Sequence, residues 1–304
     1  MDFLYLLEKL RVPVLNELML FITQFGEETA FLVAALILFW CVDKKMGYYI
    51  LSVGFLGTLA NQFMKLWFWI PRPWVLDENF TILEQAREAA NGYSFPSGHT
   101  QSAVGTFGGI AYTAKNRWVR AFAIAIAVLV PFSRMYVGVH TPLDVVVAVA
   151  MALILIIVMK PLVYGNSGRS LPIIFSVMML LAVAFLYFVE FFSFPDNIDA
   201  HNLESGTKNA YTLLGALIGL FVVYIADEKW LDFPTKAVWW AQILKVVLGL
   251  VLVLAVKSGL KVPLNLLFGE SVGRAVRYFL LVISAGILWP LSFRWFAGLG
   301  TKVK

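Results

Sequence analysis

Long apolar runs recur along almost the whole chain, and no other feature constrains its architecture as strongly. About twenty apolar residues are what a helix needs to cross the hydrocarbon core of a bilayer. Such runs occupy residues 27–42, 46–69, 98–114, 119–138, 142–161, 171–192, 208–226, 236–257 and 274–296. In lipid every backbone N–H and C=O must be paired within the element, which a helix achieves. The pattern therefore predicts an all-α fold, a polytopic membrane helical bundle of about nine transmembrane helices. Composition agrees, since 60% of the 304 residues are apolar and 14% are charged, against roughly 45–50% apolar in soluble domains. With aromatics at 15% and Cys41 as the single cysteine, disorder and a disulfide scaffold are excluded. The net charge of +5 is scattered without a basic stripe, so nucleic acid is not an expected partner.

Residues 1–26 mix apolar stretches with Asp2, Glu8, Lys9, Arg11 and Glu17 around Pro13. They read as an interfacial amphipathic segment rather than a tenth span or a cleavable signal. Nine crossings put the chain ends on opposite sides. Lys44–Lys45, Lys115/Arg117/Arg120, Lys160/Arg169, Lys229/Lys236, Lys302 and Lys304 fall on one face, which the positive-inside rule makes cytoplasmic. The opposite face carries the loop 70–97, the turn at 139–142 and the loops 193–207 and 258–273. Gly165, Asn166, Ser167, Gly168 and Pro172 interrupt the pattern near 162–172. That break divides a first half rich in polar residues at span ends from a second half that has few.

Three segments on the non-cytoplasmic face bring costly ionisable residues to span ends, where they mark function by default. Lys65 and Arg72 are seven residues apart, with Pro71 and Pro73 ending the helix. Pro96-Ser97-Gly98-His99 opens a span with Ser97 in the N-cap position, and free N–H groups there suit an anion. Ser133-Arg134 leads through Gly138 to His140 and a helix starting at Pro142. Thr141 and Asp144 have capping-box spacing. Capping does not account for His140, which Asp144 can orient from four residues on. Lys65, Arg72, Arg134 and the Ser97–Gly98 amides make an anion cage, with His99 and His140 as proton-handling or nucleophilic groups. A phosphoryl group fits that inventory.

The three motifs Lys65-x6-Arg72-Pro73, Pro96-Ser97-Gly98-His99 and Ser133-Arg134-x5-His140-x3-Asp144 resemble the signature of the type 2 phosphatidic acid phosphatase (PAP2) superfamily in order and spacing. The resemblance covers 27–165. It implies a PAP2-type catalytic core there, preceded by the 1–26 segment and followed by about four additional spans in 166–304. It further implies hydrolysis of a phosphate monoester or diphosphate through a phosphohistidine, with no cofactor and no metal. His140 would be the nucleophile, Asp144 its orienter, and His99 the acid that protonates the leaving oxygen and then activates water. Lys65, Arg72, Ser97, Gly98 and Arg134 would hold the phosphoryl oxygens.

The nine-span layout and the stretch from Arg72 to Asp77 are similar to glucose-6-phosphatase. The stretch Ser133–His140 and Gly26-Glu27 resemble sphingosine-1-phosphate phosphatases. A site at the membrane surface favours a lipid phosphate as substrate, of the phosphatidic acid, sphingoid-base phosphate, phosphatidylglycerol phosphate or polyprenyl diphosphate type, with a sugar phosphate as the alternative. The expected location is a multi-pass protein of the cell membrane with its site on the extracytoplasmic or luminal face, among membrane lipids. Vanadium haloperoxidases share the signature but are soluble; a non-catalytic lipid transporter would place its charges nearer mid-membrane. His201 lies among Asp196, Asp199 and Glu204 without a metal-ligand spacing, and Lys245 sits inside an apolar run with no partner evident. Arg274 and Arg277 read as interface anchors.

Overall fold

The computed structural model describes residues 1–88, 90–165 and 170–300. Asn166, Ser167, Gly168 and Arg169 of the expected break, and the basic residues Lys302 and Lys304, lie outside them. The described residues form helices and no strands. In chain order the helices are α1 (Asp2–Lys9), α2 (Pro13–Thr23), α3 (Glu28–Ile37), α4 (Lys44–Phe68), α5 (Pro73–Leu76), α6 (Gly98–Ala103) and α7 (Gly109–Thr113). They continue with α8 (Arg117–Tyr136), α9 (Pro142–Tyr164), α10 (Ser170–Phe191), α11 (Ala200–Ala226), α12 (Trp239–Gly259), α13 (Lys261–Ile283) and α14 (Phe293–Gly298).

Among the described residues six helical stretches are long and apolar enough to cross a membrane: Arg117–Tyr136, Pro142–Tyr164, Ser170–Phe191, Ala200–Leu231, Trp239–Gly259 and Lys261–Gly298. The pair Pro13–Gly26 and Glu28–Val42, bent by 56°, makes a seventh if it is one span. Two expected spans fall short for different reasons. Helix α4 is long but dilutes its apolar run with Asn61, Gln62 and Lys65. The stretch at 98–113 is helical but is broken by a π-turn at Val104–Gly108. The expected outer loop 258–273 is instead helical, because only Leu260 separates α12 from α13. Pro263 is tolerated there in the first turn, where no N–H is needed, and the break comes at Gly269 with φ +75°. Likewise His201 lies in the first turn of α11 and not in a loop.

The chain divides into two compact units, neither continuous in sequence. The first comprises Met1–Leu32, Ile50–Pro161 and Ser193–Gly206. Its core packs Met19 and Ile22 of α2, Ala103 and Phe107, and Ala123, Ile126, Val130 and Tyr136 of α8, all buried. All eight residues expected to form the site, Lys65, Arg72, Ser97, Gly98, His99, Arg134, His140 and Asp144, belong to this unit.

The second unit comprises Val33–Tyr49, Leu162–Phe192 and Thr207–Lys304. Its core is aromatic, with Tyr48 edge-on to Phe175 and Tyr224 and Trp40 edge-on to Phe293. The structure supplies the partners of Lys245 that sequence could not name. Fully buried, its Nζ donates to the Trp40 carbonyl at 2.8 Å and the Thr235 carbonyl at 3.0 Å and lies 4.5 Å from the Phe293 ring centre. A π-turn at Leu38–Val42 follows α3, so the lysine takes a carbonyl near a helix C-terminus, where a cation is favoured. Arg277, read as an interface anchor, is buried within this unit.

Candidate active site

Helix α4 carries Lys65 in its last turn and ends at Phe68, three residues before Pro71. Trp69 adopts a left-handed conformation (φ 49°) that turns the chain away. Arg72 precedes the short helix α5, and both cations are folded back onto one segment. Lys65 Nζ donates to the Tyr93 carbonyl. Arg72 Nε donates to the Gly92 carbonyl at 3.0 Å, Nη2 to Asn91 at 2.9 Å and Nη1 to Val139 at 3.0 Å.

Ser97 is the N-cap of α6, its hydroxyl accepting from Thr100 N at 3.4 Å. Asn61, one turn before Lys65 on α4, donates to the Pro96 carbonyl at 3.2 Å. The Ser97 N–H donates to the Asp144 carbonyl at 3.1 Å, which ties the second motif to the third. His99 follows in the first turn of α6. A side chain at Gly26 would meet the His99 carbonyl at 2.8 Å, so only glycine lets the N-terminal segment pass behind it.

The turn between α8 and α9 presents His140. Asp144 and Thr141 form the expected capping box, with Thr141 N donating to Asp144 Oδ2 at 2.7 Å and Asp144 N to Thr141 Oγ1 at 3.3 Å. The same Oδ2 accepts from Ser94 Oγ at 2.6 Å and lies 3.4 Å from His140 Nδ1. Arg72 Nη1 lies 2.9 Å from Nε2 and 3.5 Å from Nδ1. A carboxylate can only accept, so Asp144 favours a neutral ring with its proton on Nδ1, which leaves Nε2 as the accepting nitrogen.

The surroundings are cationic and dry. Lys65, Arg72, Ser97, Arg134, His140 and Asp144 are all buried. Burial first, then Arg72, Arg134 and Lys65, hold the His140 imidazole well below its usual titration range, which leaves it neutral at pH 7 with a lone pair on Nε2. Burial also pulls Arg72 down to about 10, opposed by Asp144, and it stays charged. Arg134 Nη1 donates to Thr23 Oγ1 at 2.7 Å. Among the described residues Arg134 Nε and Nη2 and His99 Nε2 are buried with no hydrogen-bond partner. These groups are therefore available to a ligand in the cage. Three cations facing one carboxylate, with donors to spare, suit an oxyanion and not a metal ion.

Sequence reasoning missed Thr23, Asn61, Tyr93 and Ser94. Asn61 carried a signal, being polar at i−4 from Lys65 inside an apolar run. Thr23 and Ser94 act across 111 and 50 residues of chain, where no spacing rule reaches.

The PAP2 superfamily pattern matches residues 44–167, and a second pattern, the PAP2 superfamily phosphatase transmembrane extension, matches 211–302. Phosphatidylglycerophosphatase B of Bacillus subtilis is 32% identical over 149 residues, which cover 45% of this chain and 69% of that protein. The chain belongs to the PAP2 superfamily. Undecaprenyl-diphosphatase of Sulfolobus acidocaldarius is 31% identical over 137 residues, 45% of this chain and 65% of the relative. A probable sphingosine-1-phosphate phosphatase of Dictyostelium discoideum is 31% identical over 209 residues, 64% of this chain and 48% of that protein. Thus the chain spans just under two thirds of the archaeal relative's length and about half of the amoebal one. No solved structure matches it. Its apolar helices and the PAP2 transmembrane extension make it a multi-pass membrane protein.

Proposed function

We propose that this PAP2 protein is a membrane phosphatase that hydrolyses a lipid phosphate through a phosphohistidine. The observation that carries the reading is a neutral His140 whose Nε2 faces Arg72 while Asp144 backs Nδ1, inside a cage where His99 and Arg134 keep unpaired donors. The substrate's phosphoryl oxygens take N–H groups of Arg72, Arg134, Lys65 and the Gly98 amide, the Ser97 amide being held by the Asp144 carbonyl, which frees Nε2. The Nε2 lone pair then attacks phosphorus, and the bond to the leaving oxygen breaks with its electron pair on that oxygen. His99 donates a proton to it. Asp144 stabilises the imidazolium formed in transfer, as an orienting carboxylate does. Water activated by His99 then attacks phosphorus, and His140 departs with phosphate released. Splitting hydrolysis in two lowers each barrier, and preplaced cations meet the charge on the equatorial oxygens.

The names of the three relatives support a lipid phosphate as substrate. We further read nine spans, with Lys44–Phe68 and the broken stretch at 98–113 also crossing, and the site on the extracytoplasmic face. The test is phosphate release by detergent-solubilised protein and its His140→Ala variant, with and without chelator. The panel holds phosphatidic acid, phosphatidylglycerol phosphate, sphingosine 1-phosphate, undecaprenyl diphosphate and glucose 6-phosphate. Chelator-resistant release from a lipid, lost in the variant, is expected. Release that survives His140→Ala, or that only the sugar supports, overturns the reading.

A further inference from the structure

A cavity of about 560 Å³ opens beside the cage and shares Arg72 with it. Its wall holds Arg87, His201, Asn91, Asn202 and the indole of Trp74, none of them part of the three motifs. We propose that this cavity is a binding subsite for a second phosphate attached to the reacting one, so that the preferred substrate is a diphosphate.

The argument starts at Trp74. Its ring carries both guanidiniums, with Arg72 at 5.9 Å and Arg87 at 5.1 Å from the ring centre. The indole therefore links an outer arginine to the arginine that touches the nucleophile. Glu84 takes the Nε and Nη2 edge of Arg87 at 2.7 and 2.9 Å and leaves Nη1 outside that pair. The pair is exposed, and such pairs yield readily to a better partner.

The far wall is the start of α11. Asp199 is the carboxylate lining the cavity, and it is turned to its own helix, accepting from Asn202 N at 2.7 Å. Its backbone N–H donates to Tyr93 Oη at 3.0 Å, which fixes the helix start against the segment whose carbonyls hold Lys65 and Arg72. An engaged carboxylate and two arginines exclude an ammonium group. Guanidinium, imidazole and amide donors together suit phosphate oxygens.

In this arrangement the terminal phosphoryl occupies the cage and the inner phosphate lies against Arg87 and His201. Attack by His140 breaks the bond from the terminal phosphorus to the bridging oxygen. The electron pair leaves on that oxygen, which stays with the inner phosphate and takes the proton of His99. A monophosphate has no group to place in the cavity.

The inference rests on the phosphatase reading, and two measurements separate their failures. The first compares kcat/KM for farnesyl diphosphate and farnesyl monophosphate in detergent. The expected outcome is a preference for the diphosphate that falls about tenfold in Arg87→Gln and in His201→Gln, through KM, and that Arg87→Lys partly restores. The second is thermal unfolding of His140→Ala protein with inorganic pyrophosphate or inorganic phosphate, in which pyrophosphate raises Tm more and Arg87→Gln removes the difference. Equal stabilisation by the two anions overturns the subsite, as does a preference that survives both substitutions. Hydrolysis of neither substrate by wild type, with selective pyrophosphate binding retained, overturns the phosphatase reading and leaves the subsite standing.

Discussion

His140 is held between a donor and an acceptor, and its protonation state decides whether it can act as a nucleophile. Its folded-state pKa lies below the ordinary 6.5, with burial the larger cause and the three cations adding to it. By linkage, protonation then favours the unfolded chain: the stability from keeping the ring neutral is present above pH 6.5 and is lost as pH falls. With three histidines in the chain, histidine-labelled NMR resolves each, assigned through His99→Gln and His201→Gln. The His140 ring is expected to remain neutral at pH 6.5. In Arg72→Gln its midpoint should move up, because a repelling cation is gone, yet stay below 6.5 because burial remains. A wild-type midpoint at or above 6.5 contradicts the electrostatic account. Legibility at this scale follows chain distance. The Ser97 and Thr141–Asp144 caps are readable because their partners lie three residues apart. Thr23 under Arg134 and Ser94 on Asp144 are not, since each supplies one donor or acceptor from a distant segment.

The turn bearing His140 is fastened by three different elements, one carbonyl each. Arg11 Nε, between α1 and α2, donates to the Tyr136 carbonyl at 3.0 Å. Leu83 N takes the Val137 carbonyl at 3.0 Å, and Arg72 takes Val139. Arg11 also donates to the Thr81 carbonyl at 2.8 Å through Nη1. Its Nη2 lies 2.8 Å from where a side chain at Gly138 (φ +89°) would begin, so the turn admits the arginine only because position 138 is glycine. Tyr136 Oη donates back to Asn16 Oδ1 at 2.8 Å. Charge and Pro13 make residues 1–26 legible as amphipathic, but nothing in them announces a clamp on a turn 125 residues away. Arg11 is thus a positioning residue. Arg11→Gln is expected to lower kcat by about 10²-fold, the cost of a misplaced reacting group, with KM changed less than twofold. Arg11→Lys should recover part of the loss, and thermal unfolding of each variant monitors the fold. A fall in activity that only tracks the unfolded fraction, or no fall at all, would remove Arg11 from the site's support.

Across the whole molecule, the apolar stretches without signature residues at 170–191 and 239–259 match their expected spans closely, as do those bearing Arg134 and Asp144, whereas the expected spans 46–69 and 98–114, which carry Lys65 and His99, fall short. Helix α4 loses apolarity to Asn61 and Lys65, which hold the Pro96 and Tyr93 carbonyls. The stretch Gly98–Thr113 begins with the turn capped by Ser97 and with His99 and is interrupted by a π-turn, a feature common at functional sites. At 1.5 Å per residue it reaches only about 24 Å against a hydrocarbon core of about 30 Å. Hydropathy is therefore least informative where function has displaced apolar side chains. For Ser97 and Asp144 to meet with α8 spanning, 98–113 must cross as well, and the direction of that crossing decides which side the site faces. Because Cys41 is the single cysteine, a Cys41→Ser background gives a clean answer. Asn79→Cys and Lys115→Cys, on either side of that stretch, are treated in intact cells with a membrane-impermeant maleimide. If the stretch crosses and the site faces outward, Asn79→Cys reacts in intact cells and Lys115→Cys only after permeabilisation. Reaction of both in intact cells would contradict the crossing and the assembled site together, because α8 would then carry His140 to the face opposite Ser97, whose N–H donates to the Asp144 carbonyl. The reverse pattern would keep the crossing and put the site on the cytoplasmic face, against the basic residues that set the expected orientation.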